Sequence, residues 1–259
     1  MPLIQTEFRD QIGTITLDNP AKRNALSHPL IEEVGAALED LRQRRARACV
    51  LRATAGCKVW SAGHDIDELP NAGRDPLGWG DSLRVLVRSI QGFPAPVIAL
   101  VEGGVWGGAC EVALSCDIMV ATPNATFAIT PAKLGIPYNL SGLLTLVNSM
   151  PLPIAKEMLF TAQPIDATQA FNCGVVNYIK APEEIEAFVY AMAAKIVANA
   201  PLSITVMKEE IRLLAAAHAI SPETFEQIQG LRRVVYDSRD YQEGLNAFRE
   251  KRRPQFRGE

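Results

Sequence analysis

Three short segments of this sequence combine small residues, which leave the backbone open, with side chains that can hold or move a proton. The first covers residues 61–66, Ser-Ala-Gly-His-Asp-Ile, directly after the apolar Val59 and Trp60. Small residues leave the N–H groups of a turn unobstructed, so this pattern predicts a backbone that can approach a ligand closely. A turn without any further role explains the segment equally well when it is taken alone.

The second segment, residues 101–111, is a glycine-rich turn that the sequence places between a strand and a helix. Gly103, Gly104, Gly107 and Gly108 precede Glu111. The start of a helix offers unpaired N–H groups and the positive end of its dipole, so it suits a developing oxyanion. Two phosphate-binding motifs are excluded, because Gly-Lys-Ser/Thr and Gly-x-Gly-x-x-Gly are both missing. Glycines that let a helix pack tightly on a sheet explain this segment better when it is taken alone.

The third segment, residues 130–139, consists mainly of turn residues and carries Tyr138. A lone tyrosine is more often a core residue whose hydroxyl has a partner than a catalytic group. None of the three segments therefore defines a site by itself.

The elements that must position these segments alternate between strand and helix. Partial alternation of apolar residues over 3–17 predicts a hairpin, with residues 11–13 between its two halves. Further along the chain, helical spacing or continuous apolar runs predict helices at 30–38, 108–115, 185–198 and 202–218 and strands at 48–51, 97–101 and 118–121. Such alternation is typical of a layered α/β domain, here with a helical C-terminal third.

Composition excludes several classes of protein. The 259 residues carry a net charge of −3, with 48% hydrophobic and 21% charged residues, which is ordinary for a globular chain. A nucleic-acid binder is not predicted, because the chain has no basic excess. The longest uncharged stretch, residues 134–155, is interrupted by prolines and asparagines, so a membrane helix is not predicted either.

Compartment and metal binding are also constrained by residue usage. The first ten residues include two acidic ones and show no basic segment followed by an apolar one, so we predict no secretory signal and a cytoplasmic location. Five cysteines without Cys-x-x-Cys spacing predict neither a disulfide nor a zinc site. His28, His64 and His218 lack the spacing of metal ligands.

Taken together, the three segments resemble the crotonase (enoyl-CoA hydratase/isomerase) superfamily from about residue 12 to residue 256. Residues 18–20 (Asp-Asn-Pro) and 24–27 (Asn-Ala-Leu-Ser) are similar to its first CoA-contacting loop, and the first two segments are similar to its oxyanion-hole segments. The resemblance implies an α/β crotonase (ClpP-like) fold of repeated ββα units. It also implies a catalytic core over residues 1–195 and a helical oligomerisation region over 196–259, which assembles trimers or dimers of trimers.

The resemblance also implies roles for particular residues. The backbone N–H groups of His64 and Gly108 would hold the thioester oxygen of an acyl-CoA. Contacts to the substrate and its CoA would come from Lys22, Arg23, Ala25, Ser61, Ala62, Asp65, Ile66, Gly107 and Pro131. Phe248 and Lys251 match the C-terminal residues that reach the CoA of a neighbouring subunit, although a solvated surface charge is the simpler explanation of each basic residue.

The reaction implied by the resemblance is decarboxylation. Hydratases of the superfamily use two glutamates, and this chain matches the first with Glu111 but has Thr130-Pro131 in place of the second. Residues 73–77, 105–108, 134–140 and 235–244 are instead similar to the biotin-independent methylmalonyl-CoA decarboxylases, which form propionyl-CoA. There Tyr138 would bind and turn the substrate carboxylate, since orientation and oxyanion stabilisation suffice for loss of CO2.

Several alternatives stay open at this point. Glu111 would repel a substrate carboxylate unless it is protonated or turned away, and the imidazole of His64 could face solvent, stack on the substrate or supply a proton. A hydratase or isomerase that uses Glu111 alone, and an acyl-CoA-binding protein without activity, are the competing functions. We predict no biotin, because Val206-Met207-Lys208 only superficially matches a biotinylation motif and lies in a helical pattern.

Overall fold

The computed structural model describes residues 2–69, 80–215 and 222–258. The 73–77 motif used in the resemblance lies outside these described residues, as does His218. Within them, the strands form a larger and a smaller sheet. The strands are β1 (Ile4–Arg9), β2 (Ile12–Leu17), β3 (Ala48–Ala53), β4 (Val59–Ser61), β5 (Val97–Val101), β6 (Gly104–Trp106), β7 (Ile118–Ala121), β8 (Thr126–Ala128), β9 (Ile165–Asp166) and β10 (Tyr178–Ile179).

The larger sheet has the strand order β1-β2-β3-β5-β7-β10, and the smaller sheet has the order β4-β6-β8-β9. Pairing is parallel except between β1 and β2 and between β8 and β9. Parallel strands need helices as crossovers, which accounts for the alternation in the sequence. The strands predicted at 48–51, 97–101 and 118–121 are confirmed as β3, β5 and β7.

The hairpin is confirmed, but its turn lies earlier than predicted. Asp10 and Gln11 form the turn with φ of 50° and 63°, and Ile12 and Gly13 already belong to β2. Two successive residues with positive φ are the geometry that joins twisted antiparallel strands in two-residue hairpins. Gly13 is explained by packing rather than by a turn, since a side chain there would collide with Leu41.

The smaller sheet was not predicted, because its strands have only two or three residues each and show no periodicity. Its strand β6 lies inside the glycine-rich segment that we expected to be a plain turn between strand and helix. The segment therefore runs from β5 through β6 to the helix that begins at Gly108, and pairing of β6 in the smaller sheet fixes its position.

The helices cover both faces of the larger sheet and form the C-terminal part of the chain. They are α1 (His28–Gln43), α2 (Ser82–Gln91), α3 (Gly108–Leu114), α4 (Leu140–Ser149), α5 (Leu152–Thr161), α6 (Ala167–Asn172), α7 (Pro182–Val197), α8 (Pro201–Ala215), α9 (Pro222–Tyr236) and α10 (Arg239–Arg249). The helices predicted at 30–38, 108–115 and 185–198 are confirmed, and the one predicted at 202–218 is confirmed as far as Ala215.

Both faces of the larger sheet are buried. On one face, residues such as Leu51 and Ala99 pack in the main core with α1 and α2. On the other, Val50 and Ile98 contact Val189 and its neighbours on α7. Every residue of β3 and β5 is buried, and all of them except Arg52 are apolar, as burial on both faces of a parallel sheet requires.

In the described ranges, no single helix is long and apolar enough to cross a membrane. The pair α7 and α8, which is bent by 105° at its junction, meets the length and composition criteria only when the two helices are taken together.

Candidate active site

The two predicted oxyanion segments meet through their backbones. A Cβ built on Gly63 would stand 2.9 Å from the nitrogen of Gly108, and a Cβ built on Gly108 would stand 3.5 Å from the nitrogen of His64. Gly63 also has a φ of 86°, which side chains rarely adopt. The close approach of His64 and Gly108, which lie far apart in the sequence, thus depends on glycine at position 63.

The first segment is held by the loop that precedes α1. Leu26 forms a parallel bridge to His64, donating its N–H to the Gly63 carbonyl at 2.7 Å and accepting from the N–H of Asp65 at 3.4 Å. In such a bridge the N–H of the intervening His64 points away from Leu26. The Ser61 hydroxyl donates to the Asn24 carbonyl at 2.7 Å and ties the start of the segment to the same loop.

The second segment presents the N-terminus of α3. Gly107, with a φ of 56°, turns the chain out of β6, donates its N–H to the Ala128 carbonyl at 2.8 Å and lets Gly108 begin the helix. The first N–H groups of a helix have no partner within it. The N–H of Gly108 therefore stands beside the N–H of His64 as a second donor, at the positive end of a helix.

Tyr138 lies beside this pair of donors. Its side chain is 8% exposed, and its hydroxyl donates to the Gly107 carbonyl at 3.4 Å. Burial raises the pKa of the Tyr138 phenol well above its usual range, and the charge of Glu111 adds to the effect. The phenol consequently stays protonated and acts as a hydrogen-bond donor at neutral pH.

Glu111 is 1% exposed and its carboxylate is engaged by two side chains. The Asn139 amide donates to Oε2 at 2.9 Å, and the Ser141 hydroxyl donates to Oε1 at 2.9 Å. The Asn139 side chain also accepts the N–H of Gly142 at 2.6 Å and so caps α4. The cap and the carboxylate form one network, which turns Glu111 toward α4.

The electrostatics of Glu111 balance burial against these donors. Burial raises the pKa of the Glu111 carboxyl, and the hydrogen bonds from Asn139 and Ser141 oppose the shift. Arg84 lowers the pKa of this carboxyl further, whereas the charge of Asp81 raises it. A carboxyl with a raised pKa is a group that can hold a proton closer to neutral pH.

The imidazole of His64 lies between solvent and core, with Nδ1 buried and without a hydrogen-bond partner among the described residues. Asp81 stands nearby and caps α2 by accepting the N–H of Leu83 at 2.9 Å. Burial raises the pKa of the Asp81 carboxyl, and the charge of His64 lowers it. The Asp81 carboxylate is thus close enough to His64 for their charges to interact.

Several residues expected to contact the CoA lie in the loop before α1, which packs against the first segment. Lys22 is half exposed and pairs with Asp65 at 2.8 Å, which raises the pKa of its ammonium group. Arg23, with a φ of 52°, accepts the N–H of Ala62 at its carbonyl at 2.9 Å. Ala25 is buried beside this loop. The structure therefore brings these predicted contacts together with the oxyanion pair.

Four other predicted contacts have different surroundings. Ile66 packs with Leu69 in a small apolar cluster behind the site. Pro131 begins the 3-10 helix Pro131–Leu134, after Thr130, whose hydroxyl oxygen would stand 3.2 Å from a Cβ at Gly107. Phe248 and Lys251 are exposed at the end of α10, so a single chain leaves them on its surface.

Sequence reasoning missed Asn139, Ser141, Asp81 and Arg84. The two capping residues carry a local signal, since Asn and Asp directly before a helical pattern are preferred N-caps. That signal predicts a helix start and says nothing about a second hydrogen bond to a distant carboxylate. Ser141 and Arg84 carry no signal that separates them from other polar residues.

Lys208, in the sequence that superficially matches a biotinylation motif, is held in place. Its side chain is 10% exposed, and its ammonium group donates to the carbonyls of Ile90 and Ala95 at 3.2 and 3.1 Å and pairs with Asp117 at 2.7 Å. A lysine held in this way on α8 does not fit a biotin carrier. In the described residues no group of His, Cys, Asp or Glu side chains could hold a metal ion, and all five cysteines are free thiols.

Comparison with known proteins assigns the chain to a family. The family model described as enoyl-CoA hydratase/isomerase matches residues 7–259. The chain belongs to the enoyl-CoA hydratase/isomerase family. Among the curated members of this family, methylmalonyl-CoA decarboxylase of Escherichia coli (strain K12) is 49% identical, with 96% of this chain and 95% of the relative covered. A short-chain-enoyl-CoA hydratase of Clostridium acetobutylicum is 30% identical, with 95% and 94% covered.

Solved structures of the enoyl-CoA hydratase/isomerase family give the same picture. A methylmalonyl-CoA decarboxylase in complex with 2-nitronate-propionyl-CoA is 47% identical and superimposes with a TM-score of 0.97, covering 99% of both chains. An enoyl-CoA hydratase from Mycobacterium smegmatis is 28% identical with a TM-score of 0.76, covering 98% of this chain and 99% of that one. The predicted α/β crotonase fold is confirmed.

Proposed function

We propose that this protein decarboxylates methylmalonyl-CoA to propionyl-CoA and CO2. The bond between carbon 2 and the carboxylate carbon breaks, and its electron pair forms a thioester enolate while CO2 leaves. A proton then adds to carbon 2 and gives the propionyl thioester. No electrons are exchanged with an external reagent, so neither a redox cofactor nor biotin is needed, and CoA enters only as part of the substrate.

The backbone donors of His64 and Gly108 would stabilise the enolate oxygen. Negative charge develops there only as the carbon–carbon bond breaks, so these donors lower the barrier without binding the ground state equally tightly. One preorganised donor of this kind contributes about 3 to 4 kcal/mol of transition-state stabilisation. Rigid support of both groups by Gly63, Gly107 and Leu26 is what such preorganisation requires.

The hydroxyl of Tyr138 would bind the substrate carboxylate. A protonated phenol beside the oxyanion pair can turn the carboxylate out of the plane of the thioester, the orientation in which the breaking bond overlaps with the carbonyl system. A pocket that excludes water from the carboxylate would also favour CO2, which is neutral, over the charged substrate.

The observation that carries the proposal is the arrangement around Glu111. A hydratase of this family needs a pair of carboxylates, and here the second position is Thr130-Pro131. The remaining carboxylate is engaged by Asn139 and Ser141, which reduces its repulsion of a substrate carboxylate. The 49% identity to the Escherichia coli decarboxylase supports the same conclusion.

Product analysis tests the proposal. Purified protein is incubated separately with methylmalonyl-CoA and with crotonyl-CoA, without biotin, ATP or added metal, and the thioesters are identified by mass spectrometry. We expect propionyl-CoA from the first substrate and little turnover of the second. Conversion of crotonyl-CoA alone, to 3-hydroxybutyryl-CoA, would contradict the proposal, and CoA binding without turnover of either would indicate a binding protein.

One observation favours a second candidate, an enoyl-CoA hydratase or isomerase. Glu111 lies next to the oxyanion pair and its pKa is raised by burial, which suits a general acid or base. Because its two oxygens are already engaged, this candidate ranks below decarboxylation. Crotonyl-CoA in the product analysis separates the two.

We also propose that the chain assembles as a trimer or a dimer of trimers. Support comes from the large apolar side chains that α8 and α9 leave exposed, among them Leu202, Ile211, Leu214, Leu231 and Val234. A second copy of the chain would remove this surface from water. Such an assembly would also bring Phe248 and Lys251 to the CoA of a neighbouring subunit. Sedimentation velocity measures the oligomeric state directly, and a monomer at micromolar concentration would contradict this part of the proposal.

The division into a catalytic core over 1–195 and an oligomerisation region over 196–259 stays a prediction. The packing of α9 and α10 supports a broader role for the C-terminal helices, because both contact loops of the site. We propose that the substrate and its CoA, when bound to a subunit, are contacted by the following residues of that same subunit: Lys22, Arg23, Ala25, Ser61, Ala62, Asp65, Ile66, Gly107 and Pro131.

A further inference from the structure

The C-terminal helix α9 places a buried cation on the backbone of Tyr138. Arg232 is 6% exposed, and its Nη1 donates to the Tyr138 carbonyl at 2.6 Å. Its Nη2 donates to the Tyr236 hydroxyl at 3.5 Å, and the guanidinium lies 5.7 Å from the centroid of that ring. The Nη1 bond thus connects the segment that carries Tyr138 to α9, and the contact with Tyr236 on the same helix helps to hold the guanidinium in place.

The same helices pack against the loops on both sides of the site. A small apolar cluster joins Leu69 and Ile66, which follow His64, to Ile136 in the third segment and to Tyr236, Tyr241 and Leu245 of α9 and α10. A Cβ on Gly244 would collide with the Leu134 carbonyl, so α10 lies directly against the 3-10 helix that precedes Tyr138. Helices α9 and α10 therefore pack against the part of the third segment that directly precedes Tyr138.

The contacts with α9 and α10 bear on the position of the Tyr138 phenol. Its own hydroxyl bond, 3.4 Å long, is a weak restraint. The main chain of Tyr138, by contrast, is fixed by a short charge-assisted bond from Arg232, of a kind stronger than a neutral one. Displacement of the backbone would carry the phenol with it, because the ring is rigid beyond its two side-chain torsions.

We propose that Arg232 is a positioning residue for the reaction: by holding the Tyr138 carbonyl, it sets where the phenol meets the substrate carboxylate. Arg232 itself touches no reacting atom. The inference rests on the proposed function, because it gives Arg232 a catalytic consequence only through Tyr138. A misplacement of about 1 Å far from the chemistry can lower a rate by about 100-fold.

Lys208 supplies a matched control. It is also a buried cation on a C-terminal helix that donates to backbone carbonyls, but those belong to Ile90 and Ala95 at the end of α2 and before β5. Lys208→Met removes a comparable anchor without touching the Tyr138 segment. It should lower the thermal midpoint while leaving kcat within about twofold of wild type.

The test is a double-mutant cycle on decarboxylation of methylmalonyl-CoA. Arg232→Met should lower kcat by about 10- to 100-fold and change KM by less than about twofold, since misorientation affects the chemical step rather than CoA binding. In a Tyr138→Phe background the same substitution should cost less than about threefold more, because residues that act through one group are not additive. Arg232→Lys, which keeps a charged donor, should restore part of kcat.

The outcomes separate this inference from the proposed function. Wild-type kcat in Arg232→Met, or a full additional loss in the Tyr138→Phe background, would overturn the role of Arg232 alone. Full activity of Tyr138→Phe would overturn both this inference and the role proposed for Tyr138. If Arg232→Met does not fold, Arg232→Lys decides: a kcat several-fold below wild type with unchanged KM supports the inference, and wild-type kcat refutes it.

Discussion

The two halves of the candidate site are built from different parts of the chain and from different atoms. The oxyanion half consists of backbone N–H groups at His64 and Gly108, held by close contacts at Gly63 and by the bridge from Leu26. The carboxylate half consists of the Tyr138 phenol and the Glu111 network, held by side chains of α4 and α9. The first half is held by contacts between backbone atoms, and the second is held by hydrogen bonds from side chains.

This difference predicts different responses to mutation. A backbone donor cannot be removed by replacing its own side chain, so it is disturbed only where a glycine is replaced or a strand is moved. A side-chain group can be removed by itself or displaced through its supports. The oxyanion half should therefore respond steeply to few substitutions, and the carboxylate half should respond gradually to many.

The steepest response is expected for Gly108→Ala. The new methyl would stand 3.5 Å from the nitrogen of His64, where it would compete with the thioester oxygen that we propose binds to the two donors. Its other close contact is the end of the flexible Leu83 side chain, which can move, so the fold should survive. We expect kcat/KM for decarboxylation to fall by about 10³-fold, as for loss of an oxyanion donor.

Gly35→Ala is the matched control for this substitution. Gly35 lies in α1, and nothing stands within 4 Å of a Cβ built there. Alanine should raise the free energy of unfolding by about 1 kcal/mol and leave kcat/KM unchanged. Activity of Gly108→Ala within tenfold of wild type would remove the oxyanion half from the mechanism.

The next largest effect is expected for Tyr138→Phe. Loss of the hydroxyl leaves the substrate carboxylate without its orienting donor, while the oxyanion pair remains intact. Steady-state kinetics should show kcat lowered by about 10- to 100-fold, with a much smaller change in KM. Tyr178→Phe, at a half-exposed tyrosine outside the site, should have no effect. Equal activity of the two variants would show that the Tyr138 hydroxyl takes no part in the reaction.

Glu111→Gln should have a moderate effect on decarboxylation, within about tenfold, because the network with Asn139 and Ser141 can adapt to an amide. A hydratase that depended on this carboxylate as a general acid or base would lose about 10² to 10⁴ in rate. Decarboxylation that falls by such a factor would show that Glu111 takes part in the chemistry. Rates with both substrates, measured on one preparation, separate these results.

The same variant has a predicted pH dependence of stability. Burial raises the pKa of Glu111 in the folded chain above the ordinary value of 4.5. Its contribution is therefore fully present below pH 4.5 and is lost as pH rises through the folded pKa. Chemical unfolding at several pH values should show wild type losing stability relative to Glu111→Gln as pH rises from 4.5 to 7.5. An unchanged or opposite difference would mean that the carboxyl is not shifted upward.

The smallest effect is expected at the surface. Lys22 is half exposed and paired with Asp65, so Lys22→Met should raise KM for the acyl-CoA by about threefold and leave kcat unchanged, as expected for one exposed ion pair or phosphate contact. The effect should fade at high salt. Lys156→Met, at an exposed lysine on α5, provides the control, and identical KM values for the two variants would exclude Lys22 from CoA binding.

The sequence predicted the two halves unequally. Strands such as β3 and β5 were predictable because burial on both faces requires continuous apolar runs. The small residues of the oxyanion segments were noticed in the sequence, but their role followed only from the resemblance to the crotonase superfamily, because a simple turn or tight helix packing also explained each segment. The strands of the smaller sheet were not predictable, since two or three residues carry no period. The hairpin turn was predicted one residue late, because Gly13 was taken for a turn residue. In the structure Gly13 lies in β2, and its missing side chain leaves room for Leu41.

The supports of the carboxylate half were not predictable for a different reason. The bond from Arg232 to Tyr138 spans 94 residues, and the bond from Asn139 to Glu111 spans 28. Such contacts exist only after the sheets have brought the segments together. A single sequence shows the polar residue and not its partner.

Stabilisation of an enolate by the oxyanion half can be measured by comparing the affinities of two ligands. The affinity of the wild-type protein is measured by calorimetry for propionyl-CoA and for an analogue with a planar, negatively charged nitronate at carbon 2. We expect the nitronate to bind at least about 100-fold more tightly, because transition-state analogues bind more tightly than ground-state ligands. Equal affinities for the two ligands would mean that the oxyanion half does not stabilise the enolate.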